Sequence, residues 1–222
     1  MEVRFYPFGP LQAILYLVVI GKEAIIIDPC VPVELLDLDG LDVKGIICTH
    51  AHYDHIIEAD NISRKTKSVL LAYTDEIPLM KDSIRNGSAR MFLPYSVESP
   101  VLPLKDGDIL TPRDFMMSDT EPFTIKVIHT PGHTYGSISV LFDFFEKKKN
   151  GKHLFTGDTV FADMIGRTDL GGDMNQMKQS IAKIAMLEDD VIIYPGHGEM
   201  TTVGAEKRHN QFFTAAFYND II

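Results

Sequence analysis

Residues 11–20 are apolar almost without a break, and the run resumes at residues 24–27 after the polar turn 21–23. Aliphatic and β-branched runs of this length, bounded by turn residues, predict two buried strands joined by a turn. Further strands are predicted over 43–48, 68–73, 123–129, 137–145, 153–157 and 191–195, with a polar hairpin tip at 146–152. Helical spacing appears at Ile56, Ile57, Ala59 and Ile62, predicting a helix over 55–66. It recurs at Met174, Met177, Ile181, Ile184 and Leu187, where Asp173 is a good N-cap. A closing helix is predicted over 202–217. Residues 73–120 carry Pro78, Pro94, Pro100, Pro103 and Pro112, and read as a short helix or two, irregular connections and a turn into a strand at 105–110.

The predicted strands share one habit. Each of several ends in a polar residue: Asp28, His50, His133, Asp158, His197. The densest case is C-T-H-A-H-Y-D-H-I at 48–56, with three histidines and an aspartate within six positions. Alone, the stretch fits either a metal site or a polar loop that happens to be rich in histidine. Imidazole nitrogen and carboxylate oxygen are the ligands of zinc, iron and manganese. His50, His52, Asp54 and His55 exceed what one catalytic ion with an open position needs, so the surplus points to two ions. H-T-P-G-H-T supplies His133, F-T-G-D-T supplies Asp158 and Y-P-G-H-G supplies His197, each beside a glycine that allows close backbone approach. A carboxylate such as Asp158 can bridge two cations. His129, His153 and His209 fall outside this set, and His129 reads as a hydrogen-bonded structural residue.

Composition narrows the partners. The 222 residues are 45% hydrophobic and 23% charged, ordinary for a globular protein with a sizeable core. A net charge of −10 argues against nucleic acid, which needs a basic surface. Cys30 and Cys48 form no C-x-x-C, so no disulfide framework is expected and free thiols suit a reducing compartment. No signal-peptide pattern opens the chain, and its longest apolar run falls short of the ~20 residues that span a bilayer. These features favour a cytoplasmic protein with no membrane partner; the oligomeric state is not legible.

The order D-P, T-H-x-H-x-D-H, T-P-G-H-T, F-T-G-D-T, P-G-H-G resembles the metallo-β-lactamase superfamily over essentially the whole chain. Residues 154–173 (L-F-T-G-D-T-V-F-A-D-M-I-G-R-T-D-L-G-G-D) and 194–210 (Y-P-G-H-G-E-M-T-T-V-G-A-E-K-R-H-N) resemble the small single-domain glyoxalase II-like (hydroxyacylglutathione hydrolase-like) enzymes. The resemblance implies an α/β (α+β) fold, the four-layer αββα sandwich, with residues 1–222 as one hydrolase domain. It implies that His50, His52 and His133 hold one divalent ion, that Asp54, His55 and His197 hold the other, and that Asp158 bridges them. Zinc is first expected, with iron or manganese as alternatives. Asp28 would brace the histidine loop. Tyr135, Phe161 and Arg167 are candidate substrate residues, although Arg167 also reads as a partner of Asp169 or Asp173, and Lys207 as a solvated helix residue.

The implied chemistry is attack by a metal-bridging hydroxide, oriented by the catalytic Asp54, on an acyl carbonyl. Cations lower the pKa of bound water from 15.7 to ~7 and stabilise the oxyanion. A thioester suits such a site, since its thiol leaves with a pKa of about 8.5. A small-molecule thioester such as S-lactoylglutathione is therefore the first expectation. A mononuclear iron persulfide dioxygenase around His50, His52 and Asp158, or a lactonase with the same ligands, is the alternative; a β-lactamase is disfavoured because many carry cysteine where Asp158 stands. The chain departs from the family where Ile56–Ile57 replace two small residues, which predicts a narrower, more apolar site floor. Two more departures are the proline missing from T-D-L-G-G-D and Asn210–Gln211 in place of a terminal N-P. The glutathione-gripping helical domain of full-length glyoxalase II enzymes is expected to have no counterpart.

Overall fold

The computed structural model describes residues 1–118, 122–146 and 149–214. Two six-stranded sheets dominate it. The first runs, in spatial order, β1 (Glu2–Phe8), β2 (Ala13–Ile20), β3 (Glu23–Ile27), β4 (Asp42–Cys48), β5 (Val69–Tyr73) and β6 (Val101–Leu104). Strands β3 to β6 are parallel, whereas β1 and β2 are antiparallel additions. Helices α1 (Tyr53–Ile56), α2 (Ala59–Thr66) and α3 (Ile77–Met80) lie in the connections around β5. The second sheet contains β7 (Ile109–Leu110), β8 (Phe123–His129), β9 (Ile138–Glu146) and β10 (Lys149–Gly157). A small hairpin of β11 (Val160–Phe161) and β12 (Met164–Ile165) precedes α4 (Met174–Ala185). β13 (Ile192–Pro195) and β14 (Thr201–Thr202) then complete the sheet in the order β14-β13-β10-β9-β8-β7, and α5 (Val203–His209) follows.

Strand periodicity builds the layers. Along β2, Ala13, Leu15, Leu17 and Val19 enter one core while Ile14, Tyr16, Val18 and Ile20 enter another. The first core lies between the first sheet and its helices, with Ile56, Ala59, Ile62 and Met80. The second lies between the sheets, where Phe123, Phe142, Phe144 and Phe155 meet Ile25, Ile27 and Ile47. A third packs Leu141, Leu154 and Ile193 against Met177, Ile181 and Ile184 of α4. Three cores separate four layers, so the expected αββα sandwich is the observed one.

Several elements differ from expectation for physical reasons. β1 was not anticipated: it is an edge strand that buries little and is defined by its pairing with β2 rather than by its own pattern. β6 tolerates Pro103 because it too lies at an edge, where a missing N–H is not needed. The helix expected over 55–66 breaks at Ile57–Glu58 into α1 and α2, which turns Ile56 into the first core. The closing helix stops at His209, where buried Asn210 ends it and its side-chain oxygen accepts from Phe212 N at 2.9 Å. The tip around 147–148 and the end of that predicted helix, 215–217, lie outside the described residues. Asp173 caps α4 as expected, accepting from Gln176 N at 2.9 Å. Met174, expected on the buried face of that helix, is instead exposed.

Asp60, buried at the start of α2, shows how a loop is fixed without hydrophobic burial. It accepts from Ser99 N at 2.8 Å, Glu98 N at 3.1 Å and the Tyr95 hydroxyl at 3.1 Å. Burial raises its pKa, but these donors outweigh burial and the net value falls below the ordinary carboxylate range. Its contribution is therefore present above the unfolded pKa and is lost as pH falls through the depressed folded value. Asp60→Asn removes an acceptor from buried donors and is expected to cost about 1–3 kcal/mol, read from the shift in urea unfolding midpoint at neutral pH.

Candidate metal centre

Strand direction gathers the chemistry at one edge. β3, β4 and β5 are parallel in the first sheet, and β10 pairs parallel with β13 in the second. Two antiparallel steps, β8 to β9 and β9 to β10, leave β8 pointing the same way as β10. Asp28, His50, His133, Asp158 and His197 each follow the C-terminal end of one of these strands. The sheets are stitched together there: Ile138 N donates to Thr49 O at 2.9 Å, and Ile14 N to Gly196 O at 2.9 Å. Gly196 permits a close approach there. A Cβ on it would collide with Asp158 Oδ1 and lie 2.7 Å from His55 Cε1.

The side chains converge in two groups. Ligand atoms of His50, His52 and His133 lie within 4.8 Å of one another, and so do those of Asp54, His55 and His197. Asp158 stands between them, with Oδ1 3.3 Å from His55 Nε2 and Oδ2 3.3 Å from His133 Nε2. All the expected donors thus meet at one place. Asp28 also clusters with His50 and His55. Its oxygens are already engaged by Thr49 N at 2.7 Å, Thr49 Oγ1 at 2.8 Å and His55 Nδ1 at 2.9 Å, which ties both ends of the histidine loop to the end of β3. Asp28 holds a left-handed φ of 56°, a conformation unusual outside glycine, to aim these oxygens inward.

The outer hydrogen bonds decide which ring nitrogen faces the centre. His133 Nδ1 donates to Arg167 O at 2.7 Å, and His197 Nδ1 donates to Leu11 O at 2.9 Å. His55 Nδ1 donates to Asp28. Thr49 Oγ1 gives its proton to Asp28, so it accepts from His50 Nδ1 at 3.1 Å. In all four rings Nε2 is the nitrogen turned inward, where a bound cation would meet its lone pair. His52 instead presents Nδ1, 2.7 Å from His133 Nε2. Among the described residues, buried His50 Nε2 and Asp158 Oδ1 have no hydrogen-bond partner, and facing lone pairs repel unless a cation or proton lies between them. This donor set fits divalent ions bound by nitrogen and oxygen.

Protonation follows the same geometry. Burial, reinforced by neighbouring His55, pushes the His50 ring well below its ordinary range. Burial and then His133 push His52 down to about 4. For His55, burial opposes charge, but Asp158 and Asp28 outweigh it and raise the ring well above its usual value. His197 is likewise raised, Asp158 overcoming burial. Asp158 resists the effect of its own burial because His55 and His197 hold it well below the carboxylate range.

The candidate substrate residues divide. The Phe161 ring stands edge-on to His197, centroids 6.0 Å apart, beside the donors. Tyr135 is mostly exposed, and its backbone oxygen bonds His129 Nε2 at 2.9 Å. His129 also stacks on Tyr73, so its structural reading fits. Arg167 pairs with Asp169 through two bonds of 2.6 Å, leaving its carbonyl, not its guanidinium, joined to the centre through His133. Lys207 bonds Leu187 O and Asp189 rather than standing free. Ile56 is fully buried in the first core, so it does not pave the site floor; Ile57 is half-buried at the end of α1. Sequence reading missed the carbonyls of Leu11 and Arg167, which no side-chain motif reveals. It also missed Glu76, although Glu76 lies in the polar T-D-E that follows β5 as the other motifs follow their strands.

A sequence profile of the Metallo-beta-lactamase superfamily matches residues 8–197. Hydroxyacylglutathione hydrolase GloC of Haemophilus influenzae is 34% identical over 205 residues, covering 87% of this chain and 89% of that protein. Among solved structures, the BLEG-1 B3 metallo-beta-lactamase superposes with a TM-score of 0.82 at 34% identity, covering 96% of this chain and all of the other (100%). TTHA1623, solved in a di-iron-bound form, superposes with a TM-score of 0.75 at 29% identity, covering 94% and 99%.

Asp28→Asn leaves one acceptor oxygen for three donors and frees the His55 ring to turn. Divalent-ion affinity is expected to fall about 10- to 100-fold, read by competition with a coloured chelator. Protonated rings cannot ligate, so the raised His55 and His197 also predict weaker ion binding as pH falls through their raised ranges, read by equilibrium dialysis across pH.

Proposed function

Because the chain belongs to the metallo-beta-lactamase superfamily, we propose that it is a two-ion hydrolase of small acyl thioesters, of the hydroxyacylglutathione kind. The observation that carries this reading is the inward turn of the lone pairs of His50, His52, His55, His133 and His197 around the two oxygens of Asp158. In this reading His50, His52 and His133 hold one ion, Asp54, His55 and His197 hold the second, and Asp158 serves both. Two divalent ions so held would supply an acidified water and a polarised carbonyl. Zinc, iron and manganese all accept these ligands.

The residues around the ions account for the rest. Asp54 is partly exposed and its Oδ2 stands 3.5 Å from His197 Nε2 and 3.7 Å from His55 Nε2. Its carboxylate stands beside the donors, where it would accept a hydrogen bond from the attacking water and aim it. The rings of His50, His55, His133 and His197 have their outer nitrogens committed to the protein, and their inner ones would be committed to the ions. None of these four can serve as the acid that protonates a leaving group. A thiol, which departs as thiolate with a pKa of about 8.5, needs none, and the likeness to GloC supports the same substrate class. Phe161, whose ring stands edge-on to His197, would contact the acyl group in this reading.

The likeness to BLEG-1 favours β-lactam hydrolysis as a second reading. Metal quantification coupled to a panel of thioesters, lactones, persulfides and β-lactams separates the readings. Two ions per chain with the highest kcat/KM on a thioester is the expected result. A single iron with oxygen uptake on persulfide, or preference for a β-lactam, would replace it. His52→Ala is expected to lower kcat/KM for the thioester more than ~100-fold, beyond the loss from an outer-shell change; retained turnover refutes the assignment.

A further inference from the structure

Tyr73 ends β5, and the chain passes through Thr74 and Asp75 to Glu76 before α3 begins. Glu76 is fully buried. Its Oε2 accepts from Ala51 N at 2.6 Å and its Oε1 from Gly136 N at 2.9 Å. Ala51 lies between His50 and His52, in the loop after β4 of the first sheet. Gly136 lies three positions after His133, in the loop after β8 of the second. One carboxylate thus joins the loops that bring His50, His52 and His133 together, and it reaches them from a third loop. The fit is flush, since a Cβ on Gly136 would stand 2.7 Å from Glu76 Oε1 and 2.8 Å from its Cγ. Burial, with a smaller push from Asp75, raises the Glu76 pKa above its ordinary value, while Thr134 and these two amides favour its ionised form.

A buried carboxylate that merely satisfies two amides would be a plain stabilising feature, as Asp60 is. Glu76 differs in where its amides lie. Asp60 binds Glu98 and Ser99, in a segment that carries none of the donors, whereas Glu76 binds loops of both sheets within a few residues of three of them. The second group is braced without Glu76, by Asp28 on His55 and Leu11 O on His197, although Asp28 also reaches His50 through Thr49. We propose that Glu76 is a positioning residue that sets the spacing of His50, His52 and His133, and with it the affinity of the ion they hold, independently of the ion at Asp54, His55 and His197. This rests on the two-ion reading above.

Glu76→Gln keeps the shape but turns an NH2 toward one of the two amides, so one bond becomes a donor facing a donor. Gly136→Ala reaches the same clamp from the other side and serves where the first variant folds poorly. Equilibrium dialysis against cobalt(II), with metal counted per chain and the visible cobalt bands recorded, reads both ions without turnover. Wild-type protein is expected to take up two ions. Glu76→Gln and Gly136→Ala should keep one at wild-type affinity and bind the other about 10- to 100-fold more weakly, with loss of one cobalt band set. Asp60→Asn should unfold more easily yet keep both. Glu76→Gln that holds both ions at wild-type affinity, or weakens both equally, overturns the proposal. Wild-type protein that binds fewer than two ions overturns instead the reading on which it rests.

Discussion

The edge of this sandwich depends on one carboxylate. Asp28 takes hydrogen bonds from the backbone and hydroxyl of Thr49 and from the His55 ring. Because Thr49 spends its proton on Asp28, its oxygen can only accept from His50. A single anion therefore fixes the orientation of two imidazoles from opposite ends of the histidine loop. Its left-handed backbone is the local strain that this arrangement carries.

The wider fold serves the same constraint. Donors come from both sheets, so the centre holds only as well as the sheets hold their relative position. The aromatic core of Phe123, Phe142, Phe144 and Phe155 fixes that position from within. At the edge itself the work passes to backbone bonds, to Gly196, and to Glu76, which binds amides of both loops. Electrostatics then divides the donors. Burial keeps His50 and His52 neutral, while Asp158 draws protons toward His55 and His197, where a cation would take their place.

Much of this was legible in the sequence. The alternating strands announced the layers, and polar residues at strand ends announced the edge on which Asp28, His50, His133, Asp158 and His197 meet. What the sequence hid falls into two kinds. Edge strands β1 and β6 bury little and owe their form to a neighbour, so their own patterns are weak. The other kind is bonding by backbone: Leu11 O and Arg167 O orient ligand rings whatever their side chains are. At Arg167 the charged side chain pairs with Asp169 while the carbonyl makes the contact with His133. Ile56–Ile57 misled in the opposite direction, since a break between two short helices turns Ile56 into the core.

The central claim is the inward turn of five lone pairs, and histidine tautomers report it directly. Long-range proton–nitrogen NMR of the zinc-loaded protein, with ring nitrogens labelled, assigns the protonated nitrogen of each imidazole. The account predicts Nδ1–H for His50, His55, His133 and His197, and Nε2–H for His52 alone among the five. An Nε2–H signal from any of the first four, or a ring protonated on both nitrogens with zinc bound, would contradict it.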